Sequence, residues 1–142
     1  MESNAWEIRL VVPSRIESLS VMNAVAEEVA QQLDFDEEAQ NAITNSVIEA
    51  GTNAIHHGNL EDAALPTEVL FRRENGALVI LIRDQGKGFD IAKVKDPLDR
   101  KNLFAESGRG VFILRSFMDE VDFRFGPECG TECRLVKYLP RP

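Results

Sequence analysis

The chain is built around residues 48–59, which have the sequence IEAGTNAIHHGN. Helical periodicity assigns this stretch to the C-terminal half of a long helix that ends at Gly58-Asn59. Glu49, Asn53 and His57 are four residues apart, so a carboxylate, an amide and an imidazole lie along one helix face. An apolar stripe runs beside this polar row and consists of Ile43, Val47, Ala50, Ala54 and Ile55. The polar row therefore lies at the edge of a buried face, where the side chains of a functional site would be expected.

Two glycine-containing turns further along the chain supply the other half of a candidate site. Asp84-Gln85-Gly86-Lys87-Gly88 follows an apolar strand, and Ser107-Gly108-Arg109-Gly110 precedes a helix. Glycines beside a strand-end carboxylate let a flat base approach the backbone, while the carboxylate accepts a hydrogen bond from an amino group. Glycines at a helix start expose N–H groups to phosphate. Glu-x-x-x-Asn spacing alone is typical of a solvated face, but with these turns it predicts a nucleotide pocket.

The remaining patterns predict an α/β (α+β) fold: a two-layer sandwich of a mixed, mostly antiparallel sheet of about five strands packed against three helices. Ser14, three residues before Glu17, is the predicted N-cap of the first helix, and Asn75-Gly76 predicts a tight hairpin. The region 89–107 shows no periodicity and is predicted to be a functional loop. The predicted strands are 6–12, 67–73, 77–83, 120–125 and 131–139, and the predicted helices are 14–33, 36–58 and 110–118.

Length and composition indicate one domain, residues 1–142. No apolar run approaches the ~20 residues that span a bilayer and the N-terminus has no signal-peptide pattern, so we expect a cytoplasmic protein without a membrane partner. Cys129 and Cys133 lack the further ligands of a zinc site.

The net charge of −8 argues against a nucleic-acid partner. Eleven acidic residues and no Lys or Arg lie between Ile16 and Phe71, whereas six basic residues lie between Lys87 and Arg109. The acidic run is open to two interpretations: a solvated surface, or a docking face for a basic protein.

The order of these motifs resembles the ATP-binding fold shared by gyrase, sensor histidine kinases, mismatch-repair ATPases and heat-shock chaperones, often abbreviated GHKL. A Glu/Asn helix, a strand ending in Asp-x-Gly-x-Gly, a loop, a Gly-x-Gly helix start and a final Gly130-Thr131 follow one another over essentially the whole chain. Within this superfamily the small size and the motifs around Glu49, Asp84 and Gly108 are most similar to those of the bacterial anti-sigma-factor serine kinases, the RsbW-like proteins.

The resemblance implies a role for each matching residue. Glu49 would be the catalytic carboxylate that orients or deprotonates the attacking hydroxyl, and Asn53 would be the magnesium ligand. Asp84 would bind the adenine of ATP or ADP with support from Thr131. The loop 89–107 would close over the nucleotide. The walls of the pocket would be formed by Gly86, Gly88, Ser107, Gly108 and Gly110.

Two side chains have open interpretations. His57 either contacts the nucleotide or only caps the helix end, where a histidine favours the dipole. Arg109 either neutralises phosphate or pairs with Glu106.

The expected function is therefore a Mg-ATP-dependent protein serine kinase that binds a sigma factor and phosphorylates a serine of an anti-anti-sigma partner. The alternative is a nucleotide-gated binding module without phosphotransfer. Members of the family usually dimerise, so a homodimer is a further expectation, with the apolar face of the first helix as its candidate surface.

Overall fold

The computed structural model describes residues 4–86, 108–126 and 130–140. In these ranges the strands are β1 (Trp6–Pro13), β2 (Pro66–Glu74), β3 (Ala77–Asp84), β4 (Glu120–Phe125) and β5 (Thr131–Tyr138). The α-helices are α1 (Ser18–Gln32), α2 (Glu37–Thr52) and α3 (Gly108–Phe117), and a π-helical segment, Asn53–Gly58, continues α2. The predicted class and element order are confirmed.

The five strands form one sheet in the order β1-β2-β3-β5-β4, and every neighbouring pair is antiparallel. The sheet is thus uniformly antiparallel over the described strands, rather than mixed. The β2–β3 hairpin closes through Asn75 and Gly76, which have φ values of 50° and 73°. Positive φ at both turn residues matches the right-handed twist of the strands, which is why Asn-Gly predicted this register.

One face of the sheet packs against the helices and forms the core. Phe71, Ile80 and Leu135 of the sheet and Met22 and Ile43 of the helices are fully buried there. The N-terminus of α2 is fixed by Asp36, whose side chain accepts a hydrogen bond from the Ala39 N–H at 2.8 Å. These contacts give α2 a fixed position across the sheet, with its C-terminal end near the end of β3.

The open face of the sheet is covered by its own ion pairs. Glu68 accepts hydrogen bonds from Arg9 at 2.6 Å and Arg83 at 2.9 Å, and Arg83 also reaches Glu132. Because long arginine stems lie over apolar neighbours, outward-facing side chains such as Leu81 are buried although none of the described helices packs on this face. Burial on both faces of the sheet accounts for the continuous apolar run of β3, a pattern typical of strands that are covered on both sides.

The predicted N-cap at Ser14 is wrong. Helix α1 begins at Ser18, and the flanking Glu17 makes no capping side-chain bond. The Ser14 hydroxyl is instead fully buried and donates to the Leu65 carbonyl at 2.7 Å. A buried hydroxyl with a tertiary partner is not available for capping, and the helix starts one turn later.

The C-terminal end of α2 also departs from the sequence prediction. The α-helix predicted to run to residue 58 ends at Thr52, and the last turn is π-helical. The Asn59 N–H donates to the Ala54 carbonyl, five residues back, at 2.9 Å. A π turn holds one more residue than an α turn and is frequent at functional sites. It changes the direction in which His57 and Gly58 project relative to α2.

Over the described ranges the structure has no helix long and apolar enough to cross a membrane.

Candidate nucleotide-binding site

Asp84 is the most strongly perturbed carboxyl of the site. It is the last residue of the central strand β3 and is 8% exposed. Burial raises the pKa of the Asp84 carboxyl to about 7, although the N–H groups of Gly86 and Thr131 act in the opposite direction. Its Oδ1 atom has no hydrogen-bond partner in the described protein. A buried carboxylate oxygen without a partner is costly unless a ligand supplies a donor.

Close backbone approaches hold this carboxyl in place. A Cβ atom added to Gly58, the last residue of the π turn, would lie 2.3 Å from the Asp84 Cγ. Gly86 has a φ of 63°, and a Cβ added there would lie 2.5 Å from the Gly130 nitrogen. Glycine is therefore required at residue 86 both by the left-handed backbone and by the lack of space. The predicted glycine turn thus forms a wall against the β4–β5 connection.

Asn53 and Thr131 face the same small cavity as Asp84. Thr131 pairs with Asp84 across β3 and β5, and Asn53 is the first residue of the π turn. The cavity is also lined by Ala50, Ala54, Ile82, Phe123 and Cys133. Asn53 and Thr131 are 4% and 5% exposed, and among the described residues neither the Asn53 Nδ2 nor the Thr131 Oγ1 has a hydrogen-bond partner. These three buried polar groups line a cavity of about 10 Å³, which has room for roughly one water molecule. They would be satisfied by a bound water or by the polar edge of a ligand that enters from the open side.

Glu49 and His57 lie on either side of Asn53 along the same helix axis. Both side chains are half-buried, so they are accessible from solvent at the edge of the core. The His57 ring makes an edge contact with the ring of His56, with centroids 4.7 Å apart. His56 is exposed and its Nδ1 lies 2.8 Å from Glu61. The π turn begins at Asn53 and contains His57, so the regular α-helical spacing on which the predicted row depends ends at Asn53.

The donor set fits magnesium in the form that nucleotide sites use. Mg²⁺ is usually held by one or two protein oxygens together with substrate phosphates, not by a cage of side chains. In the described part of the chain no group of three or more His, Cys, Asp or Glu could form such a cage. Asn53, whose side chain lines the cavity, is the residue that would hold the ion through its amide oxygen.

The phosphate side of the predicted site is only partly described. Helix α3 begins at Gly108, and Gly110 is buried in its first turn, as expected for a Gly-x-Gly helix start. Gly88, Ser107 and the loop 89–107 lie outside the described residues, as do Cys129 and the side chain of Arg109. Their assigned roles stay predictions.

Sequence reasoning missed Asn59. The sequence indicates only that this residue ends the helix. In the structure it is 1% exposed, and its Oδ1 accepts a hydrogen bond at 2.9 Å from the backbone N–H of Gln85, directly after Asp84. An Asn after a helix-ending Gly is a common terminator. Only the tertiary contact with Gln85, 26 positions away in the sequence, distinguishes Asn59 from an ordinary helix-ending Asn.

Comparisons with known proteins agree with this geometry. Residues 12–137 match the histidine kinase-like ATPase domain family. An anti-sigma F factor of Thermoanaerobacter is 34% identical over 96% of this chain and 95% of its own length. The anti-sigma F factor of Bacillus subtilis is 36% identical over 78% and 77%, and the serine-protein kinase RsbW of the same organism is 27% identical over 98% and 89%.

A solved structure shows the same fold. The chain containing the RsbU and RsbW domains of Rv1364c from Mycobacterium tuberculosis superposes with a TM-score of 0.68 at 18% identity, covering 96% of this chain and 33% of that one. With this fold, with the family match over residues 12–137 and with relatives of nearly equal length, the chain belongs to the histidine kinase-like ATPase family and, within it, to the anti-sigma serine kinases of the RsbW type.

Proposed function

We propose that this protein is a Mg-ATP-dependent serine kinase that binds a sigma factor and phosphorylates a serine of an anti-anti-sigma protein. The observation that carries the nucleotide part is the convergence of three buried, unpartnered polar groups, from Asn53, Asp84 and Thr131, on one cavity. A purine amino group donates a hydrogen bond where Asp84 Oδ1 needs one. The relatives, which are an anti-sigma F factor and a serine-protein kinase, support the rest.

Each residue of the site has a task in phosphoryl transfer. Asp84 and Thr131 bind the base. Asn53 would hold magnesium, which would supply positive charge beside the phosphates. Glu49, one helical turn before Asn53, accepts the proton of the substrate's serine hydroxyl. The serine oxygen forms a bond to the γ-phosphorus, while the bond from the γ-phosphorus to the bridging oxygen breaks and ADP leaves. A carboxylate at the solvent edge of the core is accessible to a protein substrate.

The surface of the helical layer supports a basic protein partner. Of the acidic residues between Ile16 and Phe71, all but Glu49 and Glu68 are exposed, and no Lys or Arg interrupts them. Lys137 of β5 lies beside Asp36 and Glu38, so the surface is predominantly acidic. A predominantly acidic surface attracts a basic partner and speeds its association. We assign the sigma factor to this surface. Binding should therefore weaken as salt is raised.

The test is phosphate transfer from γ-labelled ATP with magnesium into the soluble proteins of the source cell. We expect one small labelled protein carrying acid-stable phosphoserine. The substitution Glu49→Ala should keep ATP binding but lower the transfer rate by about 10² or more, because it removes a positioned base. Glu38→Ala, an exposed carboxylate at the far end of α2, is the matched control.

Equal rates for the Glu49 variant and the wild type would remove Glu49 from catalysis. Intact ATP binding without any labelled protein would contradict the kinase proposal and favour a nucleotide-gated binding module.

A further inference from the structure

We infer that Asn59 is a positioning residue for the nucleotide base: it fixes the Asp84 turn against the end of the catalytic helix. The inference rests on the proposed binding of adenine at Asp84. Asn59 follows the π turn directly, is 1% exposed, and does not itself line the cavity of Asn53, Asp84 and Thr131. Its effect on a bound nucleotide would therefore be transmitted through Asp84.

The contact with the site is a single hydrogen bond. The backbone N–H of Gln85 donates to Asn59 Oδ1 at 2.9 Å. Gln85 separates Asp84 from Gly86, so this bond holds the middle of the turn that carries the carboxyl. The turn leaves the sheet ladder at this point, because the β3–β5 pairing ends at Asp84 and Thr131. A tether from outside the ladder is what keeps the backbone after Asp84 in place.

The other end of Asn59 is anchored in a buried polar cluster. Its Nδ2 donates to Ser14 Oγ at 2.9 Å and to the Pro66 carbonyl at 3.1 Å. Ser14 Oγ donates in turn to the Leu65 carbonyl at 2.7 Å and lies 2.8 Å from Thr67 Oγ1. With Thr67 donating to Ser14, each hydroxyl hydrogen and both amide hydrogens have an acceptor. A fully satisfied buried network has one geometry and resists distortion.

The network therefore links three parts of the chain that are distant in sequence. It joins the end of β1, the entry to β2 and the turn after β3 through one amide group at the helix end. A side chain with one acceptor and two donors, as Asn has, is needed for all three connections. Because Gly58 touches the Asp84 carboxyl from the same segment, the helix end sets both the backbone and the side chain of Asp84.

The experiment compares Asn59→Ala with Thr67→Val in the full chain. Both changes disturb the same buried network, but only the first removes the acceptor for the Gln85 N–H. At a temperature where both variants are folded, Asn59→Ala should weaken ATP binding about tenfold and reduce the preference for ATP over ITP, which lacks the 6-amino group. In Asn59→Ala the kcat at saturating ATP should change much less than the KM for ATP, since Glu49 and Asn53 lie outside the network. Thr67→Val should leave the affinity and the preference within about twofold of wild type.

Separate outcomes test the inference and the proposed function. If wild type binds ATP and prefers it to ITP but Asn59→Ala behaves like Thr67→Val, the positioning role is wrong. If wild type shows no preference for ATP, the assignment of Asp84 to adenine fails first. Amide hydrogen exchange of wild-type Gln85 gives a readout that requires no variant. A slowly exchanging amide is expected without nucleotide, and exchange at the rate of an exposed loop would overturn the inference even if neither variant folds.

Discussion

Replacing Asp84 by Asn should make the ligand-free protein more stable at pH 8 while removing its response to ATP. Burial raises the pKa of this carboxyl from its ordinary 3.8 to about 7, so the folded state binds more protons than the unfolded state between these values. Its contribution to stability is therefore fully present below pH 3.8 and is lost as the pH rises through 7. At pH 8 the folded protein carries an unfavourable buried charge that the amide lacks.

The size of the effect follows from the two pKa values. At 1.36 kcal/mol for each pKa unit, the difference corresponds to about 4 kcal/mol at most. The introduced NH₂ group would face Gly58 and need an acceptor, which reduces the gain. We expect about 2 kcal/mol at pH 8, or a rise in Tm of roughly 4–8 °C for a chain of this size. At pH 5, where the carboxyl is protonated in the folded state, the gain should vanish.

Thermal unfolding followed by circular dichroism at pH 5 and pH 8 measures this directly. Comparing the variant with wild type at each pH cancels the titration of all other groups, and Glu27→Gln, at an exposed carboxylate, is the control for charge removal alone. Saturating ATP at a hundred times Kd should stabilise the wild type by about 2.7 kcal/mol and leave the Asp84 variant unchanged. A variant whose Tm differs from wild type by the same amount at both pH values would refute the buried-charge reasoning.

Two further predictions concern the magnesium ligand and the glycine turn. Asn53→Ala should make the ATP affinity in magnesium equal to that in EDTA, as measured by calorimetry, because it removes the side-chain oxygen proposed to hold the ion; a persisting magnesium dependence would assign the ion to other residues. In urea unfolding, Gly86→Ala should lower the free energy of unfolding by about 2 kcal/mol or more beyond the loss caused by Gly76→Ala. Both glycines have positive φ, so both substitutions strain the backbone. Only the Cβ added at residue 86 meets the backbone, at 2.5 Å from the Gly130 nitrogen, whereas nothing lies within 4 Å of a Cβ added at residue 76. Equal losses of unfolding free energy in the two variants would show that the turn after β3 can shift to accommodate the added Cβ.

Local patterns in the sequence were sufficient for the layout of the fold. The Asn75-Gly76 turn set the register of the central hairpin, because its positive φ values suit only one type of short connection. The apolar run of β3 indicated a strand, and the helical pattern that begins at residue 36 indicated the start of α2. The order of the Glu49, Asp84 and Gly108 motifs identified the family, since each motif lies in a short segment that can be recognised without the tertiary structure.

The tertiary structure decided everything that depends on contacts between distant segments. Ser14 looked like a helix cap because its local spacing was right, but a buried partner at Leu65 took its hydroxyl. The π turn could not be read from periodicity, since one additional residue in a single turn leaves no repeating signal. The pKa of Asp84 and the role of Asn59 arise from burial and from hydrogen bonds across the fold. The sequence specifies which polar side chains are present. Only the packing of distant segments determines which of these side chains are buried and which hydrogen-bond partners they have.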